Sequence, residues 1–183
     1  MTDEHAGLAG GRVIDNPTSG ERIVIRHSGA DTDGRLLAFD LFLPPGGHVP
    51  ATHAHPVQEE RFIVLAGQLR FQLGQRTILA SPGDTVVVHP GAAHWFGNVG
   101  QGTAVAQVEI RPALRMQELL ERSGALGVGG SSPRAIAPHL PDLALVLLEF
   151  QRELAVPGVP AVLLRLVLQP FAWLARRRGG VRA

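Results

Sequence analysis

Short apolar runs separated by turn residues occupy the chain from Glu21 to Arg111. Glycines and Pro-Gly pairs interrupt these runs at regular intervals. Short strands at this spacing are typical of antiparallel sandwiches and barrels, so the pattern predicts an all-β domain over 21–111. The predicted strands are 22–26, 35–43, 60–66, 68–73, 76–79, 84–88, 94–96 and 103–110.

The hydrophobic period changes at Pro112. Apolar residues then recur at helical spacing and predict helices over 113–123 (ending at Gly124), 141–156 and 161–175, the last disturbed at Pro170. A glycine- and serine-rich stretch at 127–133 predicts a flexible connector. We therefore expect three parts: a partly disordered N-terminal arm (1–20), a β-barrel (21–111) and an α-helical C-terminal extension (112–183).

The amino-acid composition limits which catalytic mechanisms and partners are available to the protein. The chain has 17 basic residues, all arginine, against 16 acidic ones, and no cysteine. The missing lysine and cysteine exclude Schiff-base and thiolate catalysis, and the near-zero charge argues against a nucleic-acid partner. The first twenty residues lack the basic start and apolar stretch of a secretory signal, so a cytoplasmic location is the default expectation.

Two histidines and a nearby acid indicate a metal site. His53 and His55 are two residues apart, so in a strand their rings point to the same side and can reach one ion. Of the two acids that follow, Glu59 shares its face of the strand with Arg61, which is poorly suited to a barrel interior. Alternation therefore favours Glu60 as the inward carboxylate.

These residues fall into a longer pattern that resembles the first signature motif of the cupin superfamily. It reads Gly47-x5-His53-x-His55-x4-Glu60-x6-Gly67. A second segment, Gly83-x5-His89-Pro90-Gly91-x2-His94-x3-Asn98, resembles the second motif of the superfamily. It differs at His89, where that motif usually has a proline. The resemblance covers about 21–111 and implies a double-stranded β-helix, a jelly-roll barrel with a metal at its mouth.

The resemblance also implies the metal ligands, namely His53, His55, Glu60 and His94. Three imidazoles and one carboxylate suit Fe, Mn, Ni, Co, Cu or Zn, and no thiolate narrows that choice. Four protein ligands leave one or two coordination positions open for water, substrate or dioxygen. A cupin that holds metal only as a structural brace is the alternative.

Further candidates come from strand alternation. Phe62 follows Glu60 by two residues and Phe96 follows His94 by two, so both are expected to line the cavity, together with Phe71. Each ring is compatible with two roles, lining the substrate pocket or packing in the hydrophobic core. Glu109 alternates with Val108 and Ile110, and it is a candidate catalytic base if the polar face of its strand points inward.

Three functions fit these residues. The favoured one is a metal-dependent oxygenase, of dioxygenase type, acting on a small hydrophobic or aromatic molecule. The alternatives are a redox-neutral isomerase, cyclase or lyase, and a non-catalytic small-molecule-binding protein. A homodimer is expected because small barrels expose an apolar sheet face, here with Ile63 and Leu65. A partner surface is also needed by Leu143, Val146, Leu147 and Phe150. For the C-terminal helices, a lid or dimer brace is favoured over attachment to a membrane through the last helix and its arginine cluster.

Overall fold

The computed structural model describes residues 12–17, 19–127 and 137–178. Nine strands form the sheets of the described residues. The bounds of β2 to β9 agree with the eight predicted runs to within a few residues, whereas β1 was not predicted. They are β1 (Val13–Asn16), β2 (Glu21–His27), β3 (Leu37–Leu43), β4 (Glu59–Ala66), β5 (Leu69–Leu73), β6 (Arg76–Ala80), β7 (Thr85–Val88), β8 (His94–Asn98) and β9 (Ala104–Arg111).

The strands form two antiparallel sheets. The larger sheet has the order β1-β2-β3-β9-β4-β7, and the smaller sheet has the order β6-β5-β8. Strands that are neighbours in the larger sheet are often distant in sequence. For example, β4 pairs with β7 on one side and with β9 on the other. This arrangement is the double-stranded β-helix that the motifs predicted.

Alternation along β4 and β9 defines the inside of the barrel. Phe62 and Val64 in β4 are buried, and so are Val108 and Ile110 in β9, whereas the residues between them are more exposed. In the ladder Glu60 lies opposite Ile110 and Phe62 lies opposite Val108. The apolar face of β9 therefore points into the barrel, on the same side as Glu60.

Strand β1 lies within the predicted N-terminal arm. It pairs antiparallel with β2, where Ile14 faces Ile23 and both are buried. Residues 13–16 are thus an edge strand of the barrel, and 1–11 lie outside the described residues.

Three α-helices follow the barrel: α1 (Met116–Leu126), α2 (Leu140–Glu149), preceded by a short 3-10 turn, and α3 (Ala161–Arg177). The predicted end of the first helix at Gly124 is wrong. A Cβ on Gly124 would lie 2.9 Å from Ile14 Cγ2, so glycine here permits close packing of α1 on β1. The helix ends at Gly127, which has a left-handed φ of 60°.

The other two helices also differ from their predicted bounds. The predicted helix over 141–156 ends at Glu149, because Phe150 is buried in the core, residues 151–153 form a turn and Ala155 then pairs with Ala54. Helix α3 continues through Pro170 to Arg177. Most of the predicted connector, residues 128–133, lies outside the described residues.

The apolar face of α2 finds its partners within the chain. Val146 and Phe150 are buried in the same core cluster as Met116 and Leu119 of α1. The guanidinium groups of Arg115 and Arg122 lie over the Phe150 ring at 4.7 and 5.3 Å. Among the described residues, no helix combines the length and apolar character that crossing a membrane requires.

Candidate metal centre

Four side chains from three parts of the barrel meet at one end of it. His53 and His55 lie in the segment before β4, Glu60 lies in β4, and His94 begins β8. Reciprocal backbone hydrogen bonds hold two of these segments together, with His53 N donating to His94 O (2.9 Å) and His94 N donating to His53 O (2.8 Å). The spacing of the first motif and the pairing with β8 thus bring the histidines to one point.

The four side chains form a tight group. One nitrogen of each ring and one oxygen of Glu60 all lie within 4.8 Å of one another. Glu60 Oε2 is 3.0 Å from His94 Nε2 and 3.3 Å from His55 Nε2. His55, Glu60 and His94 are buried, and His53 is the most accessible of the four. Solvent therefore reaches this group on the His53 side.

Each ring has its other nitrogen occupied by a backbone carbonyl. Nδ1 of His55 donates to Glu153 O (2.6 Å), Nδ1 of His94 to Ala92 O (3.1 Å), and Nδ1 of His53 to Ala51 O (3.1 Å). These acceptors assign the proton of each neutral ring to Nδ1. The lone pair of every Nε2 is then free for a ligand.

This assignment leaves electron-rich atoms facing each other. His55 Nε2, His94 Nε2 and Glu60 Oε2 are buried and have no hydrogen-bond partner. Buried polar atoms without partners are costly, and three acceptors that converge on one point repel each other. A cation among them removes both penalties, so the residues present fit a divalent metal held by three nitrogens and one oxygen.

Burial and neighbouring charges set the protonation of the group. Burial, aided by the adjacent His94 and His55 rings, lowers the pKa of His53 to about 4. Burial opposes ionisation of Glu60, but the facing His55 and His94 rings outweigh it and keep the pKa of Glu60 below its usual value. His53 and Glu60 are thus in their metal-binding forms at neutral pH, neutral and ionised respectively.

The C-terminal region reaches this group through its backbone. Besides the carbonyl of Glu153 on His55, Ala54 and Ala155 exchange both of their backbone hydrogen bonds, at 3.1 and 2.8 Å. The buried Glu153 carboxylate accepts the N–H of Arg115 at 3.2 Å. The motifs gave no sign of Glu153, because any residue type supplies a carbonyl and 98 positions separate it from His55.

Three aromatic rings pack against one another in the core of the barrel. Phe62 contacts Phe71 and Phe96 edge-on, each at 4.9 Å between ring centroids. All three are buried, and each sheet contributes to the group. The rings fill the barrel next to the candidate site, and contact between them and a substrate stays a prediction.

Glu109 lies on the wrong face to serve as the predicted base. It sits opposite Ala38 and Arg61 in the ladder, whereas Ile110, next in sequence, lies opposite the inward Glu60. Its carboxylate accepts a hydrogen bond from Arg111 on the outer surface. The inward face of β9 carries Val108 and Ile110, so burial of the apolar residues turned Glu109 outward.

Two further titratable side chains, Glu59 and His89, contact each other outside this group. Oε2 of Glu59, the acid that strand alternation placed on the outer face, lies 3.4 Å from Nδ1 of His89. The His89 side chain is largely exposed. Both lie outside the group of four. The histidine that replaces the usual proline in the second motif thus leaves the inner cluster unchanged.

Comparison with known proteins agrees with this architecture. Residues 40–110 match the family model of the cupin domain. Among solved structures, the chain is similar to KdgF from Halomonas sp., with 17% identity and a TM-score of 0.48 over 55% of this chain and 86% of that one. A predicted oxalate decarboxylase from Thermotoga maritima shares 21% identity, with a TM-score of 0.49 over 61% and 99% of the two chains.

A third solved structure is a protein with a double-stranded β-helix domain from Klebsiella pneumoniae. It shares 18% identity, with a TM-score of 0.44 over 49% of this chain and 70% of that one. No curated protein sequence matches the chain. The two motifs, the sheet topology and the matched family model together identify residues 40–110 as a cupin domain.

Proposed function

We propose that this protein is a metal-dependent enzyme that acts on a small molecule, with one divalent transition metal held by His53, His55, Glu60 and His94. The convergence of three buried, unpartnered acceptor atoms carries the proposal. A bound cation would be a partner to all three atoms at once.

The surrounding residues would prepare the site for its ligand. The carbonyls of Ala51, Ala92 and Glu153 hold the three rings in the tautomer that binds metal. When bound, the metal would supply Lewis acidity and, if it is redox-active, a means of activating dioxygen. The accessible side at His53 is the side from which a small molecule would approach.

We further propose that the reaction is an oxygenation of a hydrophobic or aromatic molecule. The outward position of Glu109 supports this choice, because the redox-neutral alternatives need a proton-transfer group and Glu109 was the candidate base. The packed rings of Phe62, Phe71 and Phe96 give the barrel interior an apolar character that suits such a substrate.

Metal content tests the site. The purified protein should carry about one metal ion per chain by inductively coupled plasma mass spectrometry. The double variant His53→Ala/His55→Ala should lose it, because the remaining Glu60 and His94 offer too few ligands. A matched control, His27→Ala/His89→Ala, removes two histidines outside the cluster and should keep the metal. Full occupancy in the first double variant would refute the ligand assignment.

Oxygen uptake tests the reaction. The metal-loaded protein should consume dioxygen with at least one member of a panel of phenolic and other aromatic substrates, and the His53→Ala/His55→Ala variant should not. A redox-inert metal with substrate conversion but no oxygen uptake would instead indicate an isomerase, cyclase or lyase. Bound metal with no conversion of any substrate would indicate a binding protein.

We also propose a homodimer, formed through the outer face of the larger sheet. Leu65 of β4 points away from the barrel and is half exposed. Because Val146 and Phe150, two of the residues expected to need a partner, are buried within the chain, this sheet face is the main support. Light scattering should give a species of twice the 19.5 kDa of one chain, and Leu65→Arg should reduce it to a monomer.

A further inference from the structure

Helix α3 exposes an apolar surface that no other part of the described chain covers. Its members, called here the α3 outer face, are Val162, Leu163, Leu166, Val167, Phe171 and Trp173, each between 39% and 71% exposed. Among the described residues twelve large hydrophobic side chains are exposed, and these six are half of them. The other six are spread over separate strands and loops, so only α3 presents a continuous apolar patch.

The opposite side of α3 is already packed. Ala172 and Ala175 are buried, and the helix rests on α2. The guanidinium group of Arg165 donates two hydrogen bonds to Gln151 Oε1, at 2.8 and 3.1 Å. Helix α3 is thus held in place by the side that packs on α2, and the α3 outer face is a second apolar side of the same helix.

Charge is segregated toward the same end of the chain. Residues 154–183 contain five arginines and no acidic residue. Residues 1–153 contain the other twelve arginines and all sixteen acids, a net charge of −4. Arg176, Arg177 and Arg178 follow the apolar patch directly, and the Arg177 guanidinium lies 3.9 Å from the Trp173 ring centroid.

This charge pattern decides between occupants of the patch. A second copy of α3 packed parallel would bring Arg176 to Arg178 against the same arginines, and one packed antiparallel would offer them no acidic partner, because residues 154–183 contain no acidic residue. An anionic lipid surface accepts the apolar side chains and attracts the arginines at the same time. Tryptophan and arginine are also the side chains that suit the boundary between headgroups and acyl chains.

We propose that α3 binds the surface of an anionic lipid bilayer, lying in the plane of the interface with its outer face toward the acyl chains. The helix has 17 residues and includes Arg165, so it suits a position on the membrane and not one across it. This role is separate from the chemistry of the metal centre and places the cupin domain at a membrane surface.

Co-sedimentation of the full-length protein with vesicles tests this proposal. Binding is expected to vesicles of equal parts phosphatidylglycerol and phosphatidylcholine, and at least tenfold weaker binding to phosphatidylcholine alone. Arg176→Gln/Arg177→Gln should weaken binding to the anionic vesicles about 25-fold, since each arginine near such a surface contributes about a factor of five. Raising the salt to 1 M should weaken it similarly, because the Debye length falls to about 3 Å.

A matched pair of variants tests the apolar patch. Leu163→Ser/Leu166→Ser should weaken binding at least tenfold, whereas Leu79→Thr/Val99→Thr, which removes two exposed apolar side chains outside α3, should bind like the wild type. Circular dichroism and metal content check that each variant is folded. The fluorescence of Trp173 gives a readout that leaves the patch intact: in Trp95→Phe, where Trp173 is the sole tryptophan, vesicles should shift the emission to the blue.

Several results would overturn the proposal. One is no binding to anionic vesicles at physiological salt together with an unshifted Trp173 emission. Another is equal binding to neutral and anionic vesicles. A dimer that Leu163→Ser/Leu166→Ser dissociates, in a protein that ignores vesicles, would assign the patch to a second copy.

Discussion

The barrel and the C-terminal helical region contribute to the candidate metal centre in different ways. The barrel supplies every side chain of the cluster, from one short segment and two strands. The helical region supplies a backbone carbonyl, that of Glu153, which orients His55. The chemistry of the centre thus lies in one region, while part of its geometry depends on the other.

The helical region itself divides into an integrated part and an exposed part. Residues 150–155 run from the buried Phe150 to Ala155, which is bonded to Ala54 beside the two histidines. Helix α3 packs on α2 by one side only and leaves its outer face in solvent. Substitutions in these two parts should therefore have very different effects on stability and on metal binding.

The largest expected difference between the two parts is in the free energy of unfolding. Phe150→Ala should lower the free energy of unfolding by about 3–5 kcal/mol, because it empties a fully buried site between α1 and α2. Phe171→Ala, the same change on the more exposed α3, should cost about 1 kcal/mol or less. Urea unfolding of both variants measures the difference, and equal losses would show that the two parts are equally integrated.

A pH effect should distinguish the histidine cluster from the rest of the barrel. The pKa of His53 is about 4 in the folded protein and about 6.5 when unfolded, so the unfolded chain takes up the proton first. The metal-free protein should therefore lose up to about 3 kcal/mol of stability as the pH falls from about 6.5 to 4. In His53→Gln this part of the loss should be missing from urea unfolding curves measured across that range.

The backbone link between the two regions should affect metal binding more than stability. Ala155→Pro removes the N–H that donates to Ala54 O at 2.8 Å and displaces the segment that carries Glu153. Metal affinity should fall about 10- to 100-fold, the usual cost of losing an outer partner of a histidine ligand. Ala161→Pro is the control, since the first residue of α3 needs no helical N–H partner. Metal titration of both variants gives the comparison, and equal affinities would count against the link.

The smallest expected effect is at Glu109. Glu109→Gln should leave metal content unchanged and alter stability by about 0.5 kcal/mol or less, because the side chain forms only a surface ion pair with Arg111. Loss of activity in this variant with metal retained would return Glu109 to the list of catalytic candidates and weaken the argument for oxygenation.

The motifs were sufficient to predict the barrel and the four residues that meet in it. The spacing of His53 and His55 and the alternation after Glu60 are local properties of extended chain, so they survive in any structure that forms these strands. Alternation alone does not show whether Glu109 points into or out of the barrel. That direction depends on which face of β9 is buried. Either face of an isolated β9 strand could have been buried, and the pairing of Glu60 with Ile110 decided it.

What the sequence by itself determined is the set of chemical groups: three imidazoles, one carboxylate, an apolar barrel interior and a basic C-terminal end. What only the tertiary structure decided is how those groups are held. The carbonyl of Glu153 reaches His55 across 98 positions. Gly124 lies inside a helix at a point of close contact with Ile14, and Val146 of α2 is buried whereas the α3 outer face is exposed. Backbone acceptors and close contacts carry no residue signature, because every residue has a carbonyl and long-range neighbours are set by packing.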